Sequence, residues 1–121
     1  MTTDLIDTTL RSLPSSRELR YENYQVVSVV QALWGSITPN MVAISLKCSG
    51  PEVHLRFYLE DDSPVDRGLI DDVRSDVETL QFTAIPIHAH VDVAGAEVQL
   101  NQIQGRLLYW RYRASVPGAE A

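Results

Sequence analysis

Residues 41–59 read MVAISLKCSGPEVHLRFYL. In the first half, Val42, Ile44, Leu46 and Cys48 alternate with Met41, Ala43, Ser45 and Lys47. In the second, Val53, Leu55, Phe57 and Leu59 alternate with His54, Arg56 and Tyr58. A period of two sends successive side chains to opposite faces of a strand, so each half reads as a strand with one apolar face. The SGPE turn between them predicts an antiparallel hairpin. The rest of the chain arranges around it.

Upstream, NYQVVSVVQALWG (23–35) precedes the turn SITPN. Val26, Val27, Val30, Leu33 and Trp34 form one helical stripe and Gly35 sits where a helix ends, although four valines also suit a strand. Pro14 and the two serines after it interrupt the chain, and Ile6, Leu10 and Leu13 before them predict a short helix capped by Thr3. Downstream, Ser63 can cap a helix whose first residue is Pro64. Val65, Leu69, Val73, Val77 and Leu80 mark its apolar face, and Gly68 weakens its first turns by about 1 kcal/mol relative to alanine.

The period of two returns in AIPIHAHVDV (84–93), with Ile85, Ile87, Ala89, Val91 and Val93 inward and His88, His90 and Asp92 outward. Pro86 marks an edge or a strand start. A loop, AGAEVQLNQIQG, leads to RLLYWRYRA, where Leu108, Trp110 and Tyr112 alternate with Leu107, Tyr109 and Arg111. The expected order is α-α-β-β-α-β-β. It describes an α+β fold, a four-stranded mainly antiparallel sheet with helices packed on one face. The 121 residues form one expected domain, with residues 1–20 and the tail 115–121 peripheral.

An apolar fraction of 45% and a charged fraction of 21% are those of an ordinary globular chain. Cys48 is the only cysteine, which excludes an intramolecular disulfide and suits a reducing compartment. The first residues carry acids where a secretory signal carries bases, and no run reaches the ~18 apolar residues of a membrane span. The expected location is the cytoplasm. A net charge of −6 with a single lysine disfavours binding to nucleic-acid phosphates.

Catalytic signatures are missing. Cys48 lies on the expected core face, where a thiol is inert, and no phosphate loop, nucleophile elbow or HExxH is present. The row His88, His90, Asp92 could converge on zinc, with His54 the only other histidine to complete it. Spacing alone supports this weakly, since histidine and aspartate are ordinary on a wet sheet face. No metal, cofactor or catalytic residue is therefore assigned. Arg56, Tyr58, His88, His90, Tyr109, Arg111 and Arg113 could instead line an open sheet face resembling a platform for single-stranded nucleic acid. That gives an alternative reading as a small nucleic-acid-binding or regulatory module. Trp110 and Tyr112 are expected in the core.

The charge itself is concentrated in one place. Residues 60–78 contain eight acids, Glu60, Asp61, Asp62, Asp66, Asp71, Asp72, Asp76 and Glu78, against Arg67 and Arg74, which leaves −6. The remainder of the chain, eight acids and eight bases, is neutral. Like charges four apart, such as Asp72 and Asp76, cost a helix a few tenths of a kcal/mol. Asp76 and Glu78 also lie near the end of the helix where the dipole disfavours acids. A surface that tolerates this repulsion is suited to a basic partner, and these eight acids are the candidate partner-binding residues.

A helix ending in Gly35 to Asn40, then VAISL, HLRFYLEDDSPVDR and a closing GRLLYWRYR resembles small bacterial immunity proteins. These are the antidotes of contact-dependent growth inhibition and related polymorphic toxins. The resemblance spans roughly residues 23–113 and carries structural motifs, not catalytic ones. It implies a non-enzymatic cytoplasmic protein that binds one cognate toxin domain, the C-terminal part of a large secreted protein. Many such toxins are basic nucleases, whose groove an acidic inhibitor can fill. The resemblance assigns no contact residue.

Overall fold

A computed structural model describes residues 15–112. The helix expected within residues 1–13, Arg113 and the tail lie outside the described residues. The elements are α1 (Ser16–Leu33), β1 (Met41–Ser49), β2 (Glu52–Leu59), α2 (Pro64–Thr79), β3 (Ile87–Val93), a 3-10 turn at Leu100–Gln102 and β4 (Arg106–Trp110). The fold is α+β, and the sheet order is β3-β2-β1-β4.

The hairpin forms as its pattern dictates, with β1 antiparallel to β2 and Leu46 opposite Leu55. β4 is antiparallel to β1, but β3 runs parallel to β2. The sheet is thus mixed, not mainly antiparallel. The reason is the connection: α2 returns the chain to the starting end of β2, and a helical crossover is the usual way to join parallel neighbours. β3 and β4 occupy opposite edges, so the loop between them must traverse the sheet.

One face of the sheet carries the main core. Val29, Ala32 and Leu33 of α1 and Ile70, Val73 and Val77 of α2 pack on Met41, Ile44 and Leu46, on Val53, Leu55, Phe57 and Leu59, and on Ile87. On the other face, the β3–β4 loop lays Val98 and Ile103 over Val42, Ala43 and Tyr58. Met41 and Val42 have exchanged their expected faces. A bulge between Met41 and Ala43 inserts one residue against β2 and inverts the alternation before it. A second bulge leaves Leu108 unpaired as Ser45 faces Leu107 and Ile44 faces Tyr109. Leu108 and Tyr109 therefore both pack against the core, while Trp110 and Tyr112, expected inside, are exposed.

Both helices are rotated from their expected stripes. α1 is capped by Ser15, whose Oγ accepts the Glu18 N–H at 3.1 Å, so the serines after Pro14 begin this helix and do not merely break the chain. It buries Gln25, Ser28, Val29, Ala32 and Leu33, leaving Val27, Val30 and Trp34 exposed. Two polar residues can face inward because they are satisfied. Gln25 and Gln81 exchange two amide hydrogen bonds of 2.8 and 3.0 Å, and Ser28 Oγ donates to the Tyr24 carbonyl. α2 starts as expected, with Ser63 Oγ accepting the Asp66 N–H. Its buried face is Asp66, Ile70, Val73 and Val77, while Val65 is 73% exposed.

Candidate functional site

The loop before α2 and its outer face form one strongly acidic surface. Asp61, Asp62, Asp71, Asp72, Asp76 and Glu78 are exposed and Glu60 is half-buried. Arginines offset part of the charge. Arg67 Nε donates to Asp62 at 2.7 Å and holds that carboxyl below the usual carboxylate range. Arg74 binds Asp71 at 3.1 Å and also Glu78, and the hydrogen bond with Asp71 in particular raises its own pKa. Arg111 reaches Glu60 at 3.0 Å. Among the described residues, no basic side chain pairs with the carboxylates of Asp61, Asp72 or Asp76. Within the described residues, these three are the charges of the surface that no cation offsets.

Asp66 does not belong to it. Its side chain is expected outside on the apolar-stripe reading, yet the residue is 4% exposed, and Asn40 Nδ2 donates to its Oδ2 at 2.7 Å. The same Asn40 amide donates to the Asp61 carbonyl at 2.7 Å, and its Oδ1 accepts the Asp61 N–H at 2.9 Å. Asn40 thus ties the start of β1 to the acidic loop, and Asp66 serves that fastening. Replacing Asn40 with alanine would remove three hydrogen bonds and leave a buried carboxylate without this donor. The expected loss is about 2 kcal/mol, measured by urea unfolding, because a buried acceptor that loses its donor incurs a desolvation penalty that nothing offsets.

An apolar surface lies beside the acidic loop, and it includes Val30, Leu33, Trp34 and Leu108, which periodicity places inside, together with Ile37 of the SITPN turn and Tyr109, which alternation places on the open sheet face. Val30, Leu33, Trp34, Ile37, Leu108 and Tyr109 line a recess of about 320 Å³, and Trp34 is 89% exposed at its rim. The turn of residues 35–40 connects the two surfaces: Ile37 lines the recess, and Asn40 holds Asp61. The only signal in the sequence was the aromatic residue next to a helix-ending glycine.

The open sheet face is not the aromatic and cationic platform that alternation suggested. Tyr58 is 2% exposed beneath the β3–β4 loop, and its hydroxyl accepts the Gln104 N–H at 3.0 Å. Arg111 is a fastener, donating to the carbonyls of Pro39 and Ala96 as well as to Glu60. Tyr109 packs on the opposite face. What remains uncovered is a histidine cluster. Parallel pairing sets His54 opposite His88 and Arg56 opposite His90. The His54 ring stacks on those of His88 and His90 with centroids 4.6 and 5.2 Å apart. Asp92, once a candidate ligand, bonds Arg56 at 3.1 Å instead, while Glu52 reaches His88 at 3.0 Å. Burial, then the charges of Arg56, His54 and His88, pushes the His90 pKa down.

Cys48 is half-buried against the core, and burial raises its thiol pKa, opposite to the shift that activates a nucleophile. Among the described residues, no helix is long and apolar enough to cross a membrane.

A family model described as MafI2 immunity protein matches residues 22–113, which is nearly the whole of the described fold. No curated protein matches the chain.

Proposed function

The chain belongs to the MafI2 immunity protein family, and from that premise we propose that it neutralises its cognate toxin domain through the acidic surface of residues 60–78. An immunity role in a toxin system, with a toxin as partner, comes with the family, and immunity proteins are generally inhibitors without catalysis of their own. The finer reading is ours. The toxin is a basic domain, a nuclease, forming the C-terminal part of a large secreted protein of a contact-dependent or related polymorphic system. The immunity protein meets it in the cytoplasm.

The observation that carries this reading is the set of exposed carboxylates, Asp61, Asp72 and Asp76, that no basic side chain among the described residues pairs with, on the segment that holds the whole net charge. A groove that receives phosphates presents cations in rows, and exposed carboxylates supply matching charge. Long-range attraction of that kind raises the rate of encounter, while desolvated apolar anchors determine how slowly the pair separates. The recess at Trp34 adjoins the acidic loop and offers such an anchor, since interface energy concentrates in aromatic residues packed at the centre of a contact.

The test is a pull-down and protection experiment with the toxin domain encoded next to this chain. Coexpression is expected to protect cells, and the purified pair is expected to bind with a Kd on the order of nanomolar or tighter. An unprotected cell and an absent complex would together remove the proposal.

A further inference from the structure

The parallel β2–β3 pairing assembles a second constellation, independent of the acidic surface. Glu52 and His54 project from β2 and His88 and His90 from β3. One ligand atom from each of Glu52, His54 and His88 lies within 4.8 Å of the others. Ligands of tetrahedral zinc stand about 3.3 Å apart, given metal–ligand bonds of about 2.0–2.1 Å. The His88 Nε2–Glu52 Oε1 separation of 3.0 Å is already close to that edge. Side-chain rotation of the partly exposed residues would bring in the third. We propose that Glu52, His54 and His88 bind a divalent transition-metal ion of the zinc type, with His90 as the residue that orients His54.

The donor set fits that class of ion. Two imidazoles and one carboxylate are borderline to hard ligands, which suit zinc and its neighbours in the first transition row and lack the thiolates that softer ions prefer. Three protein ligands on an exposed face leave a fourth position for water or for a group from another molecule. The His54 Nδ1–His90 Nε2 contact of 2.9 Å supplies the outer interaction that such sites use. With the proton on Nδ1 donated to His90, the lone pair of His54 Nε2 is left free to bind a metal ion, and the ring is held in one orientation. Stacking of His54 on both neighbouring rings restricts it further.

Charge around the site is also compatible. Arg56 is matched by Asp92, and Glu52 contributes a negative charge where the ion would sit. Lys47, opposite His54 on β1, is exposed, and its flexible stem can carry the ammonium into solvent. The existing His88–Glu52 bond joins two side chains that are each more than two-fifths exposed, so little stability is lost when a metal replaces it.

Titration of the full chain with Zn²⁺ by calorimetry, and with Co²⁺ by visible absorption, tests this. One ion per chain is expected, with Co²⁺ bands of four-coordinate intensity. His88→Gln and Glu52→Gln should each weaken Zn²⁺ binding at least tenfold, His54→Ala should abolish it, and His90→Ala should weaken it about tenfold. Cys48→Ser should leave it unchanged. All these side chains are at least partly exposed or peripheral to the core, and circular dichroism of each variant establishes that it is folded. Failure of the parent chain to bind either ion overturns the proposal. So does binding that survives the His88→Gln and Glu52→Gln substitutions together, or that disappears with Cys48→Ser.

Discussion

Gly105→Ala is expected to destabilise the protein by about 3 kcal/mol or more and to lower Tm by roughly 10–20 °C for a domain of this size. Gly105 ends the loop that crosses the sheet and has φ of 84°, a left-handed conformation that costs a residue with Cβ roughly 1–2 kcal/mol. The larger effect is steric. A Cβ at this position would stand 2.4 Å from the Leu46 carbonyl oxygen and 3.0 Å from Lys47 Cβ, on the strand that β4 must pair with. Backbone cannot swing aside as a side chain can, so β4 must move off β1. Gly35 provides the control, because its φ is 79° and no atom lies within 4 Å of its would-be Cβ. Gly35→Ala should therefore cost only the left-handed strain. Equal losses in the two variants, read by thermal unfolding, would mean that the close approach of loop to strand is absent.

This contrast also explains what the sequence could and could not tell. The hairpin and the start of α2 were legible because each has a local cause: alternation around a turn in one case, Ser63 and Pro64 in the other. Strand β4 was found, but its facing was lost at the bulge that leaves Leu108 unpaired, since an inserted residue inverts every later side chain without changing composition. Hydrophobicity alone marks the expected stripes of both helices. That rule cannot anticipate a buried Gln25 satisfied by Gln81, or a buried Asp66 satisfied by Asn40, because the partners are distant in sequence. The acidic surface was readable as a count of charges, but which carboxylates stay uncompensated depends on arginine geometry. The histidine cluster was half visible. His88 and His90 share a face by spacing, but Glu52 and His54 join them only through the parallel pairing of β3 with β2.

The second large effect concerns the acidic surface. Asp61, Asp72 and Asp76 are exposed, and no arginine among the described residues engages them, so changing them to asparagine preserves shape and removes three negative charges. Stability should hold or rise slightly, since repulsion between Asp72 and Asp76 within one helix face is relieved. Association with a basic partner should slow on the order of tenfold at low salt, because steering by a charged face acts on the encounter and is screened beyond about 10 Å at 0.1 M salt. Dissociation should change much less, as apolar contacts at the Trp34 recess persist after the charges are gone.

Stopped-flow association of the cognate toxin domain with the parent chain and with the D61N/D72N/D76N variant, each across a series of salt concentrations, tests the neutralising surface most directly. The expected result is a parent rate that falls steeply with salt and a variant rate that is lower at low salt, shallower in slope, and convergent with the parent at high salt. Identical rates and identical salt slopes for the two proteins would contradict docking through the acidic surface.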